Sequence, residues 1–186
     1  CCTNDKSLEQ AHLEYQTEIL PKVQSLEDIL DRKYLKSPFR DELSNKGLFV
    51  YDRSIALSVE LFREENVLLE AEEEKLSNEY TRIIGAMTVQ FNGEETTLPA
   101  MNKYLESSNQ SLREEAFRLM ARRRLQDKEC LDDIFQKMLD LRHQIALNAG
   151  FDNYRDYMHR AKERFDYTPE DCHRFGDNVK SHVLPI

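Results

Sequence analysis

The sequence predicts an all-α protein, mostly helical, with one short antiparallel β-hairpin near residues 87–98. Three observations lead there. Apolar residues recur every three or four positions along most of the 186 residues, which is the period of an amphipathic helix. Turn formers are scarce, with 5 Gly and 5 Pro, and a sheet protein made of many hairpins needs more of them. A single Asn-Gly pair, Asn92-Gly93, lies between two alternating runs, where both residues accept the positive φ of a tight hairpin.

Taken in order, Leu8, Ala11, Tyr15, Ile19, Val23, Leu26, Ile29 and Leu30 keep helical spacing from Leu8 to about Tyr34. Pro21 is expected to kink or break that run, because it removes a backbone donor. Ser37-Pro38 reads as a cap and first helical residue of a short helix through Leu43, and Asn45-Lys46-Gly47 as a turn. Tyr51 to Phe62 reads as helix. So does Glu70 to Ala86, whose acidic start complements the helix dipole. Met87, Val89 and Phe91 then alternate with Thr88 and Gln90, and Glu94 to Leu98 follow the Asn-Gly. An isolated hairpin is marginal in water, so this one needs a surface to pack on.

Pro99 opens a short helix through Leu105, and Ser107-Ser108-Asn109 is a turn. Ser111-Leu112-Arg113-Glu114 has the form of a capping box, starting a long helix over about 111–149, with room for one break near Gln126-Asp127. Gly150 supplies its stop. Asn153 caps a helix through about Arg164. Thr168-Pro169-Glu170-Asp171 starts a last helix, about 169–185, with Cys172, Phe175, Val179 and Val183 on one face. The chain reads as a single helical region over 1–186. Its start at Cys1-Cys2 without Met, and its apolar ending Val183-Leu184-Pro185-Ile186, give the expectation of a piece of something longer.

The net charge is -9, from 35 acids and 26 bases. An acidic chain repels phosphate backbones, so no nucleic-acid partner is expected. No apolar run approaches a membrane span and no signal peptide is visible, so no membrane partner is expected and the expected location is cytoplasmic. Cys1, Cys2, Cys130 and Cys172 lack zinc-ribbon spacing and read as buried or free thiols in a reducing compartment.

Candidate chemistry is sparse. A zinc site needs ligands one helical turn apart, and no two of His12, His143, His159, His173 and His182 are spaced three or four apart. Cys172-His173 are adjacent on a helix and so point apart. Arg118, Arg122, Arg123 and Arg124 could hold a carboxylate or phosphate, but flanking acids favour a salt-bridged helix face. Tyr154, Tyr157 and Tyr167 could line a peptide channel, though packing with a polar tip is the commoner role. No catalytic residue and no metal ligand is assigned, and the substrate-binding residues are left open.

Three blocks nevertheless resemble one family. They are Val89-Gln90-Phe91-Asn92-Gly93-Glu94-Glu95-Thr96-Thr97-Leu98, then Asn109 to Phe117, and Leu139 to Tyr157 with Arg142, Ala146, Gly150 and Tyr154. In this order they are similar to the helical region that precedes the catalytic part of zinc oligopeptidases of the oligoendopeptidase F and thimet oligopeptidase type. That resemblance implies one wall of a deep peptide channel, in a metallopeptidase that binds zinc and cleaves short peptides. The family's chemistry rests on a His-Glu-x-x-His helix, which this sequence does not contain. The chain is therefore expected to hold no cofactor and to be inactive alone, and to self-associate through apolar surface that a missing part would cover. The alternative is a stand-alone helical binding or scaffold module with a peptidase-like fold and no catalysis.

Overall fold

The structure is a computed structural model and describes residues 6–43 and 47–185. Cys1, Cys2, and Asn45 and Lys46 of the expected turn lie outside the described residues. The fold is helical with one two-stranded antiparallel sheet among the described residues, as the sequence predicts. The chain divides into two compact units: one from the described part of Cys1–Leu13 with Glu72–Asp140, the other from Glu14–Ala71 with the described part of Leu141–Ile186.

The first helices are α1 (Lys6–Glu14) and α2 (Leu20–Leu35), joined by a π-helical turn at Tyr15–Ile19. The break expected at Pro21 is absorbed there. Leu20 N–H donates back to Tyr15 O, a five-residue step, and Pro21 then sits in the first turn of α2, where its missing donor costs nothing. The helix expected from Ser37-Pro38 starts later, as α3 (Arg40–Leu43). Ser37 Oγ instead accepts the N–H of Phe39 at 3.3 Å, holding a turn. After α4 (Phe49–Leu61), α5 spans Glu64–Gly85, beginning earlier than the expected Glu70. The unbroken Val67-Leu68-Leu69 run hides its period, while Glu64 and Glu65 supply the acidic first turn.

In the unit built around Glu72–Asp140, β1 (Thr88–Phe91) pairs with β2 (Glu94–Thr97) in the register Phe91 with Glu94 and Val89 with Thr96. Asn92 at φ 53° and Gly93 at φ 81° make the two-residue turn, which suits the right-handed twist of the strands. The alternation then decides burial: Val89 and Phe91 face the core and Gln90 faces out. α6 (Leu98–Leu105) starts at once, capped by Thr97 Oγ1 accepting Ala100 N–H at 3.4 Å. α7 (Gln110–Gln126) covers the core face. Met87, Val89, Phe91, Leu98, Met101, Ala116 and Met120 form one apolar cluster. The Phe91 ring lies 4.7 Å from that of Tyr104. Burying each large side chain of this cluster contributes roughly 1.5–3 kcal/mol, and this is the surface the hairpin requires.

The expected cap at Ser111 is not the one used. Asn109 Oδ1 accepts the N–H groups of Ser111 at 3.0 Å and Leu112 at 3.4 Å, so Asn109 is the cap and Glu114 is left to pair with Arg118. The long helix does break at Asp127, and α8 (Lys128–Asn148) follows. Asp127 accepts an ion pair from Arg123 one turn back.

In the other unit, Leu57 and Leu61 of α4 pack with Ile145 and Ala146 of α8, with Ala149 just beyond its end, and with Tyr157 of α9 (Tyr154–Ala161). Gly150, at φ 87°, stops α8. Its N–H reaches Leu147 O at 3.0 Å and Phe151 N–H reaches Ala146 O at 2.9 Å, closing the last turn. Arg63 reinforces that stop by donating to Asn148 O at 3.0 Å and Ala149 O at 3.3 Å. α9 ends at Ala161, short of the expected Arg164, and Glu163 follows with φ 55°. α10 (Pro169–His182) has a full capping box, with Thr168 Oγ1 accepting Asp171 N–H at 3.2 Å and Asp171 Oδ2 accepting Thr168 N–H at 2.8 Å. It ends three residues before the expected limit.

Candidate functional site

The residues that could act chemically are spread over both units. On α7, Ser111, Glu114, Glu115, Arg118, Leu119 and Arg122 lie along one face, since three- and four-residue steps return to the same side. With Gln90, Phe91 and Asn92 of the hairpin they line an open groove of about 450 Å³. Of the four arginines singled out by sequence, Arg118 donates to Glu114 at 2.8 Å and Arg123 pairs with Asp127. Arg122 and Arg124 are exposed and have no ion-pair partner among the described residues. The salt-bridged face expected here is therefore half formed, and Arg122 is the cation it leaves available in the groove. The sequence offered no signal for Gln90, whose part depends on strand register.

The tyrosines separate into two settings. Tyr154 and Tyr157 pack together at 5.8 Å between centroids, with Phe151 edge-on to Tyr157 at 5.7 Å and Arg142 over Tyr154 at 5.6 Å. Tyr167 is exposed and stands edge-on to His159 at 5.3 Å. His159 is buried, 7% exposed, and its Nε2 has no hydrogen-bond partner among the described residues. His173 Nε2 is 2.7 Å from the Arg155 guanidinium, a cation that opposes a second positive ion there. His12, His143, His173 and His182 are exposed. No group of three His, Cys, Asp or Glu among the described residues could hold a metal, so these side chains do not fit zinc. Cys130 and Cys172 are free and exposed, not buried.

The perturbed carboxylates hold the frame together. Asp52 accepts Arg40 through two bonds of 2.6 and 2.8 Å and Tyr34 Oη at 3.3 Å. The Arg40 bonds hold the Asp52 carboxyl below its ordinary range, while desolvation foremost raises the Tyr34 hydroxyl. Asp156 is lowered by Arg155 and then by Asn153, and Asp171 by the Thr168 backbone. None of these groups adjoins a nucleophile with a base, so the arrangement organises turns and helix ends.

No family model matches the sequence, and no curated protein matches it. Solved structures do match. PZ peptidase A with inhibitor 2 superposes with a TM-score of 0.92 at 26% identity, over 98% of this chain and 32% of its own. A protein from Bacillus anthracis str. Ames described as an oligoendopeptidase F gives 0.92 at 24%, over 98% and 34%. Another described as an oligoendopeptidase F gives 0.92 at 25%, over 98% and 32%. The fold is that of part of an oligoendopeptidase. This chain spans about a third of the length of the chains it matches. No described helix is long and apolar enough to cross a membrane.

Proposed function

We propose that this chain is the helical, channel-wall portion of a zinc-dependent oligopeptidase and is non-catalytic by itself. The observation that carries this reading is the superposition of 98% of the chain, at a TM-score of 0.92, on about a third of PZ peptidase A. The ordered sequence blocks support it, since the Asn92-Gly93 turn and the Gly150 stop, which lie in the blocks that resemble the family, both form. The His-Glu-x-x-His helix implied by the resemblance has no counterpart in the sequence, so zinc and peptide cleavage belong to the rest of such an enzyme. In that enzyme the partners of this region are short peptides, and its role is to shape the channel and exclude folded proteins.

Exposed apolar side chains fit this reading. Leu26, Ile29 and Leu30 follow one face of α2, and Phe175 of α10 is 71% exposed. Such surface drives association, so the isolated chain should self-associate. The free thiols of Cys130 and Cys172 suit the cytoplasm. Sequencing the transcript beyond the codon for Ile186 tests the proposal. An open frame leading into His-Glu-x-x-His supports it. A stop codon overturns it in favour of a stand-alone helical binding module.

A further inference from the structure

We infer that the groove between β1 and α7 is a docking site for a short extended peptide with both termini free, bound by strand addition. Its first element is backbone. The bonded pairs of the hairpin are Phe91 with Glu94 and Val89 with Thr96, because a two-residue turn is closed by a bonded pair and bonded and non-bonded pairs alternate. The bond from Leu98 N to Met87 O, 3.3 Å, continues that alternation. The N–H and C=O of Gln90 therefore point outward from β1, and they have no partner among the described residues. An open strand edge of this kind pairs readily with an extended chain.

The second element is charge. Gln90 lines the groove, with Phe91 and Leu119 as its apolar lining. On the α7 side, Glu115 and Arg122 are exposed and have no ion-pair partner among the described residues, whereas Arg118 is committed to Glu114. Glu115 and Arg122 are seven residues apart on one helix face, about 10 Å along the axis at about 1.5 Å per residue. An extended peptide advances about 3.3 Å per residue, so about three residues span the gap. Arg122 takes the terminal carboxylate, Glu115 takes the terminal ammonium, and Gln90 makes the central backbone bonds. The site does not depend on the peptidase reading, and its failure would leave that reading untouched.

Titrating trialanine, its C-terminal amide and its N-acetyl form into the isotope-labelled chain, followed by amide chemical shifts, tests this. Free trialanine should bind roughly tenfold more tightly than either blocked form, the effect of one charge-assisted contact. The perturbed amides should cluster at Gln90 and along Glu115 to Arg122. Arg122→Ala should abolish the advantage over the amide, and Arg124→Ala, outside the groove, should leave it. Gln90→Pro removes the outward N–H and the Gln90 side chain but no bond of the hairpin ladder, which an edge strand tolerates, and should weaken all three peptides. Equal binding of the three peptides, or shifts away from the groove, would overturn the inference. So would a concentration-dependent dimer whose shifts map to the Gln90 edge, since the occupant would then be a second copy. If Gln90→Pro fails to fold, the blocked-peptide comparison on the unaltered chain decides.

Discussion

Asn66→Ala should loosen the unit that contains the end of α8, and the size of the effect can be worked from the contacts. Asn66 is 3% exposed. Its Nδ2 donates to Ile145 O at 3.1 Å and its Oδ1 accepts Asn148 Nδ2 at 2.8 Å. These two bonds join the start of α5 to the last turn of α8. Ile145 O would still accept Ala149 N–H at 3.2 Å, and Asn148, half-buried, could turn its amide toward water. The penalty for stranded polar groups is thus small, leaving about 1 kcal/mol for each lost bond plus a little for the small cavity, or about 2–3 kcal/mol in all. For a chain of this size that is a fall of about 5–10 °C in Tm. Thermal unfolding followed by circular dichroism measures it. A change below about 0.5 kcal/mol, the scale of ordinary surface substitutions, would refute the view that this buried amide fastens α5 to α8.

Other perturbations address other parts of the frame. Met101 is 0% exposed in the core beneath the hairpin, so Met101→Ala should cost about 2–5 kcal/mol in urea unfolding. A Cβ added at Gly93 meets nothing within 4 Å, so Gly93→Ala should cost about 1–2 kcal/mol through its positive φ alone, read by the same measurement. The Asp52 carboxyl lies below its ordinary value of 3.8 in the folded chain. It therefore adds stability above that value, and the gain is lost as pH falls through 3.8 toward the lower folded value. Chemical unfolding at neutral pH and near pH 3 should show a smaller acid loss in Asp52→Asn than in the unaltered chain, and equal losses would contradict the Arg40 pairing.

The parts of this fold legible in the sequence are those set by local chemistry. Asn92-Gly93, Gly150, Asn153 and Thr168 each impose a turn or a cap through their own backbone or side chain, and each forms where expected. What was not legible depends on competition between alternatives. Asn109 and Ser111 are both good caps, and only the approach of the chain from Ser107, whose Oγ accepts Asn109 N–H at 3.2 Å, chooses between them. Pro21 could have broken the first helix, but a π-helical turn accommodated it. The arginine run was recognised as a candidate anion site, yet which guanidinium remains available depends on Glu114 and Asp127 capturing Arg118 and Arg123. The groove itself needs β1 and α7 side by side, which no residue spacing reveals.

We propose that this chain supplies a wall of a peptidase and none of its chemistry. The most direct test is to measure the zinc content of the purified 186-residue chain and its cleavage of a quenched fluorescent peptide library, with and without chelator. No stoichiometric zinc and no cleavage above buffer are expected. Cleavage that a chelator abolishes would contradict the proposal, because no group of three His, Cys, Asp or Glu among the described residues could hold the metal such cleavage needs.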